Sequence, residues 1–90
     1  MNNLQYCVYV LLSKRDNKFY IGSTSNLVQR LRDHENGRNI STKNRRPFSL
    51  IFYECFLSKS DMLRGEKYFK TNIGKRGLKL IIRNSLDHQN

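Results

Sequence analysis

The sequence predicts a small α/β (α+β) domain: a three-stranded mixed sheet flanked by helices, in the order β-β-α-β-α-α. Three observations carry that prediction. Residues 6–12 are an unbroken run of apolar, β-branched and aromatic side chains, which suits a strand covered on both faces. A polar stretch rich in turn formers follows, and then a short alternation at residues 19–23, as in a returning strand. Further on, apolar residues recur at helical spacing, with one more strand-like run between the first and second helices.

The chain reverses within Ser13-Lys14-Arg15-Asp16-Asn17-Lys18. A four-residue loop at 13–16 pairs Leu12 with Asn17 and sets Tyr9 opposite Tyr20. A two-residue loop leaves the tyrosines on one face but about 13 Å apart, at ~3.3 Å per residue. The apolar pattern stops at Leu12, which favours the longer loop. A helix is expected over 27–35, with Ser25 or Asn26 able to cap its first turn. Leu27, Val28 and Leu31 form its apolar stripe, and Gly37 ends it. Residues 38–47 read as a loop made basic by Lys43, Arg45 and Arg46. Pro47 fits the entry to a third strand over 48–56. A second helix is expected with Ser60 as cap and Met62, Leu63, Phe69 and Ile73 as stripe. Gly74 and Gly77 interrupt it, and Leu78, Ile81, Ile82 and Leu86 make a short final helix. Residues 87–90 are expected to fray.

One domain spanning residues 1–90 is expected at this length. The chain has 17 Lys+Arg against 7 Asp+Glu, a net charge of +10, which favours polyanions, above all nucleic acid. No apolar run reaches the ~20 residues of a spanning helix, so no membrane is expected. Met1-Asn2-Asn3-Leu4-Gln5 lacks the basic start and apolar run of a secretory signal. A cytoplasmic location is the expectation. Cys7 and Cys55 each lie inside an apolar strand-like run and are expected to be free and buried. Their spacing matches no zinc pattern.

Arg30 and His34 are one helical turn apart and flank the stripe of the first helix. A tyrosine at the end of a strand, an arginine and a histidine are thereby brought towards one region. Glu66 falls among Met62, Phe69 and Ile73, where a carboxylate loses hydration and needs a cation or donors. An ion pair, a slightly exposed helix edge beside Lys67 and Lys70, and a metal ligand are the three readings of it. Tyr9 and Tyr20 taken singly are ordinary sheet residues, and Arg30 and His34 taken singly are ordinary surface residues. The set shifts the balance. The other carboxylates form no cluster for a two-metal site.

Tyr9, then Tyr20-Ile21-Gly22, then Arg30, His34 and the distant helical Glu66 resemble the GIY-YIG nuclease family, most closely its small single-domain bacterial members related to the nuclease module of the excision-repair UvrC subunit. Cys7-Val8-Tyr9 stands where the family has Gly-Ile-Tyr, and Ser23 where some relatives carry lysine. The resemblance implies the GIY-YIG fold and a Mg²⁺ (or Mn²⁺) dependent endonuclease that hydrolyses DNA by structure rather than sequence, with a part in DNA repair. Glu66 would hold the metal, Arg30 would face charge building on the phosphate, Tyr9 or Tyr20 would deprotonate water, and neutral His34 would accept the phenol proton. Gly22 would let substrate backbone approach, and Lys43, Arg45 and Arg46, with Lys14, Arg15 and Lys18, would contact phosphates. The alternative is a non-catalytic nucleic-acid-binding module of the same fold.

Overall fold

A computed structural model describes residues 4–88. Strands β1 (Tyr6–Ser13), β2 (Phe19–Thr24) and β3 (Phe48–Phe56) form one sheet in the order β2-β1-β3. Helices α1 (Leu27–Glu35), α2 (Lys59–Phe69), α3 (Asn72–Ile81) and α4 (Arg83–His88) complete the described residues, with a 3-10 turn at Lys43–Arg45. The expected α+β class and element order hold. The sheet is not mixed, because both ladders are antiparallel. β2 and β3 run in the same direction, but β1 lies between them.

β1 is central and buried from Cys7 to Ser13, as its unbroken apolar run requires. Alternation sends its side chains to two faces. Val8 and Val10 join Ile21, Met62, Phe69, Leu78 and Ile82 in the main core, under α2, α3 and the end of the chain. Tyr9 and Leu11 face the other way, towards α1 and the loop that follows it. β2 is an edge strand, so the two faces meet along its free side.

The hairpin register differs from expectation. Leu12 pairs with Phe19, so Tyr9 faces Gly22 and Leu11 faces Tyr20. The turn takes up residues 14–18, closed by Ser13 N–H donating to the Lys18 carbonyl. Ser13 Oγ accepts from the backbone N–H of Arg15 and Asp16, Asp16 accepts from Lys18 N–H, and Asn17 adopts a positive φ of 59°. The shift is an even number of residues, so both tyrosines stay on one face.

Cys7 and Cys55 are not free. They are cross-strand partners in the β1–β3 ladder, with Cα atoms 4.0 Å apart, and are joined by a disulfide. Their apolar surroundings in sequence carried no trace of that register.

Asn26 caps α1 by accepting from Gln29 N–H, and Gly37 follows the helix with φ 73°. Val28 is 62% exposed and does not belong to the stripe. The inward positions are Leu27, Arg30, Leu31 and His34, and His34 is the buried residue of the helix. The second helix starts after Ser58, not Ser60. It ends at Phe69, and α3 begins again behind a Thr71 cap whose side chain accepts from Gly74 N–H. The break therefore falls before the glycines, and Ile73 lies on α3 at 67% exposure. Leu63 is also exposed. Asp87 is helical, within α4; residues 89–90 lie outside the described residues. No helix is long and apolar enough to cross a membrane among them.

Candidate active site

On the α1 side of the sheet, three rings pack together. Tyr9 and Tyr20 have centroids 6.4 Å apart, Tyr9 and His34 5.5 Å, and Tyr20 and His34 5.1 Å. The Tyr9 hydroxyl lies 2.7 Å from His34 Nε2, and His34 Nδ1 lies 2.7 Å from Thr42 Oγ1. Tyr9, His34 and Thr42 have 0%, 2% and 0% exposure. Buried polar groups need partners, and these three supply one another.

Gly22 serves this packing. It is buried, and a Cβ there would come within 2.5 Å of the Tyr9 oxygen. Its missing side chain is filled by the phenol ring, so the expectation that substrate backbone would use that space is corrected.

Burial, reinforced by the neighbouring Tyr20, pushes the Tyr9 pKa up to about 12, against the lowering effect of Arg30. Positive charge therefore does not win at Tyr9. Burial and then the charge of Arg30 push the His34 pKa below the usual imidazole value. The ring is neutral at pH 7.

On the α2 side stands Glu66. Its carboxylate accepts from Ser23 Oγ at 2.5 Å and from Lys70 Nζ at 2.9 Å, with 20% of its side chain exposed. Burial raises its pKa, but the Ser23 and Lys70 hydrogen bonds and the charges of Lys70 and Arg30 outweigh that and hold it below the usual glutamate value. Two of the three readings of Glu66 are thus combined in a partly exposed ion pair. Ser23, next to Gly22 along the strand, points to the opposite face from the phenols.

The expected residues and their partners form two groups folded around the edge strand. Tyr9, Tyr20 and His34 lie on one face, and Ser23, Glu66 and Lys70 on the other. Arg30 couples them, because its charge acts on Tyr9, His34 and Glu66 alike. A groove along β2 is lined by Lys18, Tyr20, Ser41, Lys70, Lys75 and Lys79. Lys79 lies over the Phe19 ring, 5.8 Å from its centroid.

The basic loop is tied to the rest of the chain by its arginines. Arg45 binds Asp16 at 2.7 Å and donates to the carbonyls of Lys18 and Phe19; its hydrogen bond helps pull the Asp16 pKa down to about 2. Arg46 donates to the carbonyls of Lys43 and Glu35. Both guanidinium groups hold the loop in place. Lys43 is exposed and lines a second recess with Arg15, Leu31 and His34.

Sequence reasoning missed Thr42, Ser23, Lys75 and Lys79. Thr42 sits in a polar loop with no periodicity to mark it. The partnership of Lys70 with Glu66 was visible as an i,i+4 pair with the acid first.

The model of the GIY-YIG catalytic domain matches residues 5–79. The UPF0213 protein SH2523 of Staphylococcus haemolyticus is 38% identical over 78 residues, 86% of this chain and 94% of the relative. The UPF0213 protein YazA of Bacillus subtilis is 39% identical over 71 residues, 78% of this chain and 71% of the relative. The solution NMR structure of the UPF0213 protein BH0048 from Bacillus halodurans superimposes with a TM-score of 0.55 at 30% identity, covering 84% of this chain and 83% of that one.

Proposed function

The chain belongs to the GIY-YIG family, among its small UPF0213 proteins, and from that premise we propose that it is a metal-dependent endonuclease that cuts DNA by structure rather than by sequence. The observation that carries this reading is the meeting of two phenols, a neutral imidazole, a guanidinium and an ionised carboxylate around one edge strand. The lysine-lined groove supports a polyanionic substrate, because phosphate contacts of this kind bind without reading bases. A role in DNA repair fits such an activity.

Glu66 fits Mg²⁺ or Mn²⁺. Among the described residues, no group of three or more His, Cys, Asp or Glu side chains could cage an ion. Magnesium is commonly held by one carboxylate, substrate phosphate and water, and Glu66 is ionised, partly exposed and already paired with a cation in Lys70. When bound, the ion supplies Lewis-acid stabilisation of charge on the phosphate.

The chain's own groups divide the remaining work. Tyr9 is the phenol with a proton acceptor in place. As its oxygen takes a proton from the attacking water, its own proton passes to His34 Nε2. The water oxygen forms the new bond to phosphorus, and the bond from phosphorus to the departing strand oxygen breaks. That oxygen leaves protonated, with solvent in the groove as the proton source. Arg30 faces the charge that develops on the phosphate. Tyr20, half-buried at the groove, orients the water. Tyr9 has no exposed surface, so in this reading substrate binding opens a path to it.

That closure also favours the second reading, a non-catalytic nucleic-acid-binding module, since a buried phenol with a pKa of about 12 is a poor base at rest. Nicking of labelled branched and single-stranded DNA separates the two. Cutting that needs Mg²⁺ and is lost in Glu66→Gln and Arg30→Ala supports the nuclease. Binding without cutting, indifferent to Glu66→Gln, supports the module.

A further inference from the structure

Thr42 is a fully buried hydroxyl in an otherwise polar, exposed loop, and the mechanism above leaves it unused. Its Oγ1 lies 2.7 Å from His34 Nδ1 and 3.5 Å from the Asn39 carbonyl oxygen. We propose that Thr42 is a positioning residue: it holds His34 in the Nδ1–H tautomer and so aims the Nε2 lone pair at the Tyr9 hydroxyl. The functional consequence rests on the nuclease reading, but the tautomer does not.

The assignment follows from counting donors. The buried Tyr9 hydroxyl has His34 Nε2, at 2.7 Å, as its hydrogen-bond acceptor, while the Asn39 carbonyl stands 3.5 Å from the Thr42 hydroxyl as a distant acceptor. The lone pairs of Thr42 then accept from Nδ1–H, and a neutral imidazole protonated there carries no proton on Nε2. Tyr9 donates into that vacant position at 2.7 Å. The Tyr9 hydroxyl and the His34 Nδ1–H then each have an acceptor at 2.7 Å. In the opposite tautomer, Nε2–H would donate to the Tyr9 oxygen, and the phenol proton would need a new acceptor where Tyr9 has 0% exposure. Leaving such a donor unmade is costly.

The loop is braced to deliver this hydroxyl. Backbone bonds from Thr42 N–H and Lys43 N–H to the Asn39 carbonyl, and from Arg45 N–H to the Thr42 carbonyl, wind the chain around it. Ser13 Oγ donates to the Arg45 carbonyl at 2.6 Å, and Lys14 N–H donates to the Pro47 carbonyl at 2.8 Å. With Arg45 on Asp16 and Arg46 on the Glu35 carbonyl, the loop is fastened to the hairpin and to the end of α1. Arg45 and Arg46 thus act as struts for a threonine.

The test combines imidazole ¹⁵N NMR with nicking kinetics. The wild-type spectrum is expected to show His34 as the Nδ1–H tautomer. Thr42→Val keeps the shape but removes the acceptor. It is expected to release the tautomer into a mixture and to lower kcat at least about tenfold with KM unchanged. Thr42→Ser is expected to retain both the tautomer and the rate. An Nε2–H tautomer in the wild type overturns the proposal, as does a Thr42→Val protein with unaltered tautomer and rate, or a folded Thr42→Ser protein as impaired as Thr42→Val. If Thr42→Val does not fold, the wild-type and Thr42→Ser spectra still decide the matter. Absence of nicking by the wild type sinks the nuclease reading, and the tautomer is then judged from the spectra alone.

Discussion

The two halves of the site are held by different physics. Tyr9, His34 and Thr42 form a neutral line with no more than 2% exposure at any member, where each hydrogen bond is protected and each broken one leaves a buried orphan. Glu66, Ser23 and Lys70 form a charged cluster at the groove, with the Lys70 side chain 54% exposed, where solvent and salt screen the attraction. One half supplies fixed geometry and the other supplies charge that a substrate can rearrange. A site that must hold one group rigidly and still admit a phosphate benefits from that separation.

The comparison is broken most directly by stability measurements. His34→Ala orphans the hydroxyls of both Tyr9 and Thr42 and should lower the unfolding free energy by roughly 2–6 kcal/mol, at about 1–3 for each group. Lys70→Ala should cost less than about 1 kcal/mol. Equal losses in urea titrations would show that the two halves do not differ. Next in size, Gly22→Ala forces a methyl group against the Tyr9 ring and should cost about 1–3 kcal/mol by overpacking, with nicking lost alongside.

Acid should separate the halves by pH. His34 has a folded pKa below its unfolded value of 6.5, so its contribution is full above that pH and is lost as pH falls through the folded value. Glu66 also has a depressed folded pKa, from a reference of 4.5, so its contribution fades only at lower pH. Thermal melts should decline first below 6.5, and His34→Gln should remove that first decline while Glu66→Gln spares it. A single decline confined to pH below 4.5 would contradict the neutral burial of His34. The smallest effect belongs to the groove. Lys75→Gln and Lys79→Gln should each weaken DNA binding and flatten its salt dependence by about one unit of slope, without altering the melt.

The strands and the first helix were legible because burial imposes a period. β1 is covered on both faces and reads as a continuous apolar run, and β3 begins where Pro47 announces it. Tyr9, Tyr20 and His34 were legible as a set that the fold packs together. The register was not, because the turn at 14–18 is decided by the Ser13 and Asp16 side chains and by the positive φ of Asn17, none of which alters the apolar pattern. The Cys7–Cys55 bond was hidden for the same reason, since only pairing shows that two strand positions face each other. Thr42 was invisible because one buried hydroxyl in a loop has no period. The carbonyl contacts of Arg45 and Arg46 were not legible, because a charge looks the same in sequence whatever it meets.

The contact between Gly22 and the Tyr9 ring changes how the paired tripeptides should be understood. Read along the chain they are two separate landmarks, but in space they are a plug and its socket. The glycine of the second is the vacancy that the tyrosine of the first occupies. A sequence keeping both tyrosines with any larger residue in the glycine's place would carry the lettering of the motif without room for its key ring, and the two halves can drift only as a unit.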